Sequence, residues 1–263
     1  MDNVLTEPGR VAPDRANTAR PCFKLEAMLD KIPIPGLFIT ATDTGVGKTV
    51  IAAAIANWFR RRSERVGVCK IAATGCVHRR EGLVSEDAEY LAHWADSDFP
   101  LETICPIRYA EPLAPAVAAQ RSGVPLDWSL LQSSLSMMAS SVDVMIVEGV
   151  GGVMVPMDGR HAVLDVARWL GLPTVVAARA GLGTINHTLL TVNALRSAGV
   201  RVAGVVINRY PTDTPDAATE SNPSAISKWG KVPVLCLVPD EPFTPPAMPP
   251  GIVAAVNAVD WRL

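Results

Sequence analysis

Seven short apolar runs, rich in valine and isoleucine, constrain the fold of this chain more than any other feature. They read LFITATD, VGVCKIA, CPIRY, VDVMIVEG, PTVVAAR, VRVAGVVINR and VPVLCLVP. The runs are nearly continuous rather than alternating with polar residues, which favours strands that are buried on both faces. Segments of helical length separate them, so strand and helix alternate along the chain. This pattern predicts a mostly parallel central sheet of about seven strands flanked by helices, in a three-layer α/β/α arrangement.

The predicted helices lie between these runs. Residues 48–62 combine an apolar stripe with basic residues at the C-terminal end, as a helix dipole favours. Further helices are predicted over residues 127–141, 162–171, 184–199 and 252–259. Asn222 followed by Pro223 predicts the start of another helix, with asparagine as the cap and proline in the first turn.

The first 35 residues differ from the rest of the chain. They are mixed, polar and contain several prolines, and residues 23–32 predict only a short helix that Pro33 ends. We therefore expect residues 1–35 to be an N-terminal extension that is at best partly ordered. Residues 36–263 are expected to form the α/β domain.

Composition excludes several classes of protein. The chain has 24 basic and 26 acidic residues and a formal net charge of -2, so no global field favours nucleic acid or anionic lipid as a partner. No apolar run approaches the roughly 20 residues that span a bilayer, and the first residues lack the apolar stretch of a secretory signal. The five scattered cysteines, without a C-x-x-C pair, favour free thiols in a reducing compartment. We therefore expect a cytoplasmic protein that binds neither nucleic acid nor membrane.

The strongest local signal is a phosphate-binding loop. Residues 42–49 read T-D-T-G-V-G-K-T and lie between the first apolar run and the first predicted helix, as a P-loop requires. Gly45 and Gly47 let backbone N–H groups turn toward phosphate oxygens, and the helix N-terminus adds favourable partial charge. Lys48 offers a point charge for the β- and γ-phosphates, and Thr49 offers a hydroxyl to Mg²⁺. These residues predict nucleotide binding without defining the reaction.

Several motifs, in order from about residue 37 to residue 239, resemble those of dethiobiotin synthetases. Thr42 stands where the general P-loop pattern has its first glycine, and the synthetases also have threonine there. Residues 181–191, GLGTINHTLLT, look nearly identical to the signature of that family after its fifth strand. The further matches are EGVGG at 148–152, PLAP at 112–115, Asn208 at a strand end and ESNP at 220–223. Residues 1–35 have no counterpart, so the resemblance implies a P-loop dethiobiotin-synthetase-like domain over the remaining chain.

The resemblance implies an ATP-dependent ligase that forms C–N bonds. Such enzymes close the ureido ring of dethiobiotin from 7,8-diaminopelargonate and CO₂ or bicarbonate, in biotin biosynthesis. MgATP is consumed through a carbamate and a carbamic–phosphoric anhydride. The resemblance also implies a homodimer with active sites near the interface. Holding a diamine beside the γ-phosphate while negative charge grows is a task of positioning and electrostatics.

Three side chains carry the implied chemistry, and two of them have a simpler interpretation. Lys70 ends the VGVCK run, where the resemblance implies a catalytic lysine and the residues alone equally allow a solvated side chain. Glu148 ends the VMIV run and suits a carboxylate that binds Mg²⁺. Asp87 is implied as a second acid near the metal, although acids also favour helix starts such as SEDAEYL. Lys48 and Thr44 complete the implied catalytic set with Lys70.

The remaining expected contacts form three sets. The nucleotide is expected to bind Gly45, Val46, Gly47, Lys48, Thr49, Val50 and Asn208, and Mg²⁺ to bind Thr49, Asp87 and Glu148. The substrate is expected to bind Thr74, Gly151, Gly183, Thr184, Ile185 and Asn186. Asn208 is expected to contact adenine through its amide, with a role in a turn as the alternative. His187 is interpreted as structural because no paired acid is visible.

Two other functions stay open at this point. A related P-loop amidoligase fits the loop, but such enzymes usually carry a glutaminase domain, for which this chain has no room. A MinD/ParA-like switch ATPase also fits, but that group usually has lysine where this chain has Asp43. Ala41, Gly45 and Ala116 depart from the synthetase pattern, and changes at the last two positions alter the expected substrate contacts.

Overall fold

The computed structural model describes residues 27–80, 82–213 and 215–263. In these ranges the strands are β1 (Gly36–Ala41), β2 (Val66–Lys70), β3 (Ala73–Thr74), β4 (Val77–Arg79), β5 (Gly82–Val84), β6 (Arg108–Tyr109), β7 (Val144–Gly152), β8 (Thr174–Arg179), β9 (Val202–Tyr210) and β10 (Val234–Pro239). The helices are α1 (Lys48–Arg60), α2 (Glu86–Ala95), α3 (Leu101–Ile104), α4 (Pro115–Ser122), α5 (Trp128–Ala139), α6 (Val163–Leu170), α7 (Thr184–Ser197), α8 (Ala217–Gly230) and α9 (Pro250–Asn257).

Six strands form one parallel sheet in the order β10-β9-β8-β1-β7-β2. Phe38 and Ile39, adjacent in β1, are both fully buried but belong to different hydrophobic cores, because successive strand residues face opposite sides. The core around Phe38 includes residues of α5, α6 and α7, and the core around Ile39 includes residues of α1, α2 and α9. Helices therefore cover both faces, and the predicted α/β/α architecture is confirmed.

The seventh apolar run, CPIRY, does not join the central sheet. It contributes only the short strand β6, which pairs with β3 in a separate two-stranded sheet. Pro106 lies within this run and has no N–H to donate to a neighbouring strand, so the run is poorly suited to a central position. Six of the seven predicted strands thus form the sheet that supports the loops described below.

The predicted helix start at Asn222 and Pro223 is wrong. Helix α8 already begins at Ala217, and Pro223 lies inside it. Its cap is Asp216, whose Oδ1 accepts a hydrogen bond of 2.7 Å from the backbone N–H of Thr219. This side-chain cap fixes the start of the helix several residues before the Asn–Pro pair. The other five predicted helices correspond to α1, α5, α6, α7 and α9.

Asn222 instead fastens α8 to the segment after β8. Its buried Nδ2 donates hydrogen bonds to the carbonyl oxygens of Ala180, at 3.1 Å, and Gly181, at 3.3 Å. We expect Asn222→Ala to lower the free energy of unfolding by about 1–3 kcal/mol, because the buried carbonyl group of Ala180 loses its donor. Urea unfolding measures this change, with Ser221→Ala as the matched variant on the exposed side of the same helix. Equal midpoints for the two variants would contradict the assignment.

The described part of the N-terminal extension packs against the domain without forming the predicted helix. Residues 27–32 are not helical, whereas residues 1–26 lie outside the described ranges. Leu29 is buried, and the N–H of Ile32 donates to the carbonyl oxygen of Leu170 at 3.1 Å. The backbone N–H of Asp30 donates to Gln132 Oε1 at 2.7 Å, so this segment is held against α5 and α6.

Cys69, Cys76, Cys105 and Cys236 carry free thiols, and Cys22 lies outside the described residues. Within the ranges that the structure describes, no helix combines the length and apolar character needed to cross a membrane.

Candidate active site

The loop between β1 and α1 has the backbone geometry of a phosphate cradle. Gly45 and Gly47 have positive φ angles of 71° and 97°, a conformation that glycine adopts without steric cost. Gly47 is the residue before α1, and no side chain caps that helix start. The first N–H groups of α1 are therefore available to an anion, with the helix dipole favouring negative charge.

Asn208 holds this loop from the end of β9. Its buried Nδ2 donates a hydrogen bond of 2.7 Å to the carbonyl oxygen of Val46. A Cβ atom on Gly47 would collide with the same amide, so a larger residue there would displace the Asn208 side chain in addition to straining φ. The amide nitrogen is thus used inside the protein, and the adenine contact expected of Asn208 stays a prediction.

Lys70, Glu148 and Asp87 form a tight ionic cluster beside the loop. Strands β2 and β7 pair in parallel with Lys70 directly opposite Glu148. Lys70 Nζ lies 2.6 Å from Glu148 Oε1 and 2.7 Å from Asp87 Oδ2. Glu148 Oε1 also accepts a hydrogen bond of 2.9 Å from Thr49 Oγ1. The register of two buried strands and the first turn of α2 therefore bring these groups to the start of α1.

The cluster sets the charge state of its members. Burial acts to lower the pKa of Lys70, but the attraction of Glu148 and then Asp87 outweighs burial and raises it, so Lys70 stays an ammonium ion. Burial raises the pKa of Glu148, and Lys70 only partly offsets this effect. For Asp87, burial acts to raise the pKa, but attraction to Lys70 outweighs it and lowers the pKa. Lys48 has a lowered pKa because it is buried and Glu148 compensates only in part.

The same groups fit a Mg²⁺ ion bound together with nucleotide phosphates. Glu148 is fully buried, and its Oε2 has no hydrogen-bond partner within the described residues. A buried carboxylate oxygen without a partner is costly, so a further donor or cation is expected there. The Thr49 hydroxyl and the Asp87 carboxylate supply the additional oxygen ligands that Mg²⁺ prefers. The three residues predicted to bind the metal thus converge.

The Glu148→Gln substitution tests this fit. We expect Mg²⁺ to bind in the presence of ADP about 10- to 100-fold more weakly, the range seen when groups around a metal are changed. Calorimetric titration of MgADP and of ADP with chelator separates the metal contribution from that of the nucleotide. Glu86→Gln is the control, because Glu86 is an exposed acid in the same turn as Asp87. An unchanged Mg²⁺ affinity in Glu148→Gln would contradict the site.

Most predicted site residues line one cavity of about 340 Å³. They are Thr44, Gly45, Gly47, Lys48, Thr49, Val50, Lys70, Thr74, Asp87, Glu148 and Gly151. Asp87 is both a cavity residue and a member of the first turn of α2, which Ser85 caps, so its two interpretations are compatible. The sheet therefore brings together residues that are up to about a hundred positions apart in sequence.

The segment Gly183, Thr184, Ile185 and Asn186 does not line this cavity. Gly183 precedes α7 with a φ of 90°, and Thr184 is buried with a hydroxyl that has no hydrogen-bond partner among the described residues. The neighbouring Leu182 is 88% exposed. The substrate contacts expected of this segment therefore stay predictions that need a surface beyond this cavity.

Arg209 also lines the cavity, and the sequence analysis did not identify it. It follows Asn208 in β9, and alternation along a strand places consecutive side chains on opposite faces. Arg209 reaches the cavity because the pairing of β9 with β10 is irregular at this point. The sequence of β9 alone does not predict this irregularity.

A parallel α/β/α sheet, a glycine-containing loop before α1 and a lysine–carboxylate cluster at the carboxyl edge define a P-loop nucleotide-binding protein. A family described as AAA domain matches residues 35–247.

The sequence relatives identify a narrower family within this class. An ATP-dependent dethiobiotin synthetase BioD of Anaeromyxobacter sp. (strain K) is 42% identical over 209 residues, covering 79% of this chain and 91% of the relative. That of Thermodesulfovibrio yellowstonii is 36% identical, covering 78% and 88%, and that of Bacillus subtilis (strain 168) is 35% identical, covering 78% and 87%. This chain belongs to the family of ATP-dependent dethiobiotin synthetases.

Solved structures with a similar chain path are more distant. The cell division ATPase MinD of Pyrococcus furiosus gives a TM-score of 0.45 at 16% identity, covering 87% of this chain and 91% of that chain. The MinC:MinD cell division complex of Aquifex aeolicus gives a TM-score of 0.49 at 14% identity, covering 85% of each. The family assignment rests on the sequence relatives.

Proposed function

We propose that this protein is an ATP-dependent dethiobiotin synthase, which closes the ureido ring of dethiobiotin from 7,8-diaminopelargonate and CO₂. The observation that carries the proposal is the placement of the Lys70–Glu148–Asp87 cluster against the start of the phosphate loop. A P-loop alone binds nucleotide, whereas this cluster adds a permanent cation where a second anionic reactant meets the γ-phosphate. The family membership supports the identity of the substrates.

The proposed reaction has three steps. One amine of the substrate attacks CO₂ and loses a proton, which gives a carbamate. A carbamate oxygen then attacks the γ-phosphorus, and its bond to ADP breaks, which gives a carbamic–phosphoric anhydride. The second amine attacks the carbonyl carbon, loses a proton and expels phosphate as the ring closes. Atoms balance as diamine, CO₂ and ATP giving dethiobiotin, ADP, phosphate and protons.

The charged groups of the chain suit the phosphoryl transfer. Lys48 sits in the loop and is assigned to the phosphate chain, whereas Lys70 is assigned to the carbamate and the transferring phosphoryl group. Both ammonium groups neutralise charge that spreads over oxygens in the transition state. Thr44 lies at the exposed rim of the loop and is assigned to substrate or phosphate through its hydroxyl. Positioning and electrostatics carry this step, because no covalent intermediate with the protein is required.

Thr49, Asp87 and Glu148 would hold Mg²⁺, which supplies positive charge to the β- and γ-phosphate oxygens when bound. The free Oε2 of Glu148 supports this assignment. Lys70 would keep the two carboxylates apart and oriented, because its Nζ is within hydrogen-bond distance of both.

A homodimer is proposed for the remainder of the substrate site. Gly183, Thr184, Ile185 and Asn186 lie outside the cavity, and their backbone N–H groups at a helix start suit a carboxylate. Leu182, just before this segment, and Leu190, in α7, are 88% and 61% exposed. These exposed apolar side chains support burial against a second subunit. Thr74 and Gly151 line the cavity and are assigned to the diamine.

The test is phosphate release from MgATP in four mixtures, with and without 7,8-diaminopelargonate and with and without bicarbonate. We expect release above background only when both are present. Release that is independent of the diamine would favour a switch ATPase of the MinD/ParA kind, and release that depends on another amine would favour an amidoligase. Either result would overturn the synthase proposal.

A further inference from the structure

Arg209 has a backbone conformation that arginine rarely adopts. Its φ of 55° lies in the left-handed region. The pairing of β9 with β10 explains this conformation, because Ile207 pairs with Leu237 and Tyr210 pairs with Pro239. Strand β9 therefore takes three steps where β10 takes two. This extra residue is a β-bulge, a feature that re-aims side chains next to functional sites.

The bulge lets two consecutive residues serve the same loop. In a regular strand Asn208 and Arg209 would point to opposite faces of the sheet. Here Asn208 donates to the Val46 carbonyl oxygen, and Arg209 lines the cavity that also contains Lys48. The strained backbone of Arg209 therefore places its side chain in the cavity at the phosphate loop.

Arg209 is an exposed cation that the described residues leave without a hydrogen bond or ion pair. Arg179, at the same edge of the sheet, differs because its Nη2 lies 3.3 Å from Asp43 Oδ2. The space above Gly45 is also open, since a Cβ atom there would meet nothing within 4 Å. An unneutralised guanidinium beside open space at a phosphate loop favours an anion as its partner.

The strand order indicates which part of the nucleotide this anion is. Glu148 and Lys70 lie on β7 and β2, on one side of β1, whereas Arg209 lies on β9, on the other side. The γ-phosphate must face Lys70 if the transfer is to occur. The phosphate chain then runs from that side toward β9, where its nucleoside end lies.

We propose that the Arg209 guanidinium binds the α- and β-phosphates of the nucleotide and sets its affinity. This inference rests on the proposed function in requiring that the loop binds a nucleoside triphosphate with its γ-phosphate toward Lys70, and it does not depend on the diamine. Arg209, on β9, thus adds a third cation to Lys70 at the end of β2 and Lys48 at the start of α1. Because this cation is exposed, its contribution is screened by salt.

The experiment titrates the full chain with MgADP and with the Mg²⁺ complex of a non-hydrolysable ATP analogue, using calorimetry. Arg209→Gly removes the guanidinium and is compatible with the left-handed backbone. Arg209→Ala removes the guanidinium and introduces a residue that disfavours this backbone. Arg209→Lys keeps the charge. The control is Arg201→Ala, an exposed arginine just before the opposite end of β9. Thermal unfolding without nucleotide checks that each variant folds.

We expect Arg209→Gly and Arg209→Ala to bind both nucleotides about tenfold more weakly, with a smaller loss in Arg209→Lys and none in Arg201→Ala. Unchanged binding in Arg209→Gly would overturn the proposal, as would a loss confined to the ATP analogue, which would indicate a γ-phosphate contact. If the wild-type chain binds neither nucleotide, the proposed function fails as well. If the wild type binds both and the variants match it, only this inference fails.

Discussion

Lys70→Ala is expected to abolish measurable ring closure, with turnover about 10³-fold lower, while MgADP binding persists. Removal of one preorganised charge that acts on the transition state costs this much in comparable sites. In the proposed site the nucleotide keeps Lys48, Thr49 and the backbone of the loop as partners. Steady-state phosphate release and calorimetric MgADP binding, measured on one preparation, check the two halves of the prediction.

The same substitution is expected to destabilise the protein. Lys70 is buried between Glu148 and Asp87, and its removal leaves a buried carboxylate without its cation. Breaking a buried pair in this way costs about 3–5 kcal/mol in the free energy of unfolding. Mg²⁺ with ADP should recover part of this loss, because a metal at the proposed site would supply positive charge to the same carboxylates. A variant as stable as wild type, or one that keeps full turnover, would contradict the role assigned to Lys70.

Lys48→Ala should have the opposite effects from Lys70→Ala: weaker nucleotide binding, but no loss of stability. We expect MgADP affinity to fall by about 100-fold, which corresponds to about 2.8 kcal/mol, because charge-assisted bonds to phosphate are lost. The free energy of unfolding should stay the same or rise. Within the described residues Lys48 Nζ makes no ion pair or hydrogen bond, so no partner is left behind.

The direction of the stability change follows from the pKa of Lys48. Its pKa is lowered in the folded protein by burial, so the charged form is less favourable there than in the unfolded chain. At neutral pH this charge opposes folding. The unfavourable contribution is fully present below the lowered pKa and fades as the pH rises above it. Replacing Lys48 removes that opposition. Urea unfolding at pH 7 measures the effect, and a large loss of stability in Lys48→Ala would show that the two lysines are not distinct in role.

Local sequence patterns predicted those site residues whose position depends only on where a strand ends. Lys70 and Glu148 each follow an apolar run, and parallel strands in one sheet bring such ends to a common edge. The phosphate loop was predictable because its glycines and lysine occur between a strand and a helix. The direct contact of Lys70 with Asp87 was not, because it depends on how α2 packs beside β2.

The errors have a common cause in contacts between distant segments. Asn222 and Pro223 imitate a helix start locally, but Asp216 caps the helix earlier and Asn222 is used to hold the segment after β8. Arg209 was missed because its bulge arises from the register between β9 and β10. The run CPIRY has strand composition, yet β3 rather than the central sheet is its partner. Propensity and periodicity do not encode these pairings.

The most direct test of the central proposal is ring closure with ¹³C-labelled bicarbonate. The chain is incubated with 7,8-diaminopelargonate and MgATP, and product is detected by mass spectrometry while phosphate is counted. We predict dethiobiotin that carries the label at its ureido carbonyl carbon, with one phosphate released per product, and no product from Lys48→Ala or Lys70→Ala. ATP hydrolysis without labelled dethiobiotin, in a preparation that binds MgADP, would contradict the proposal.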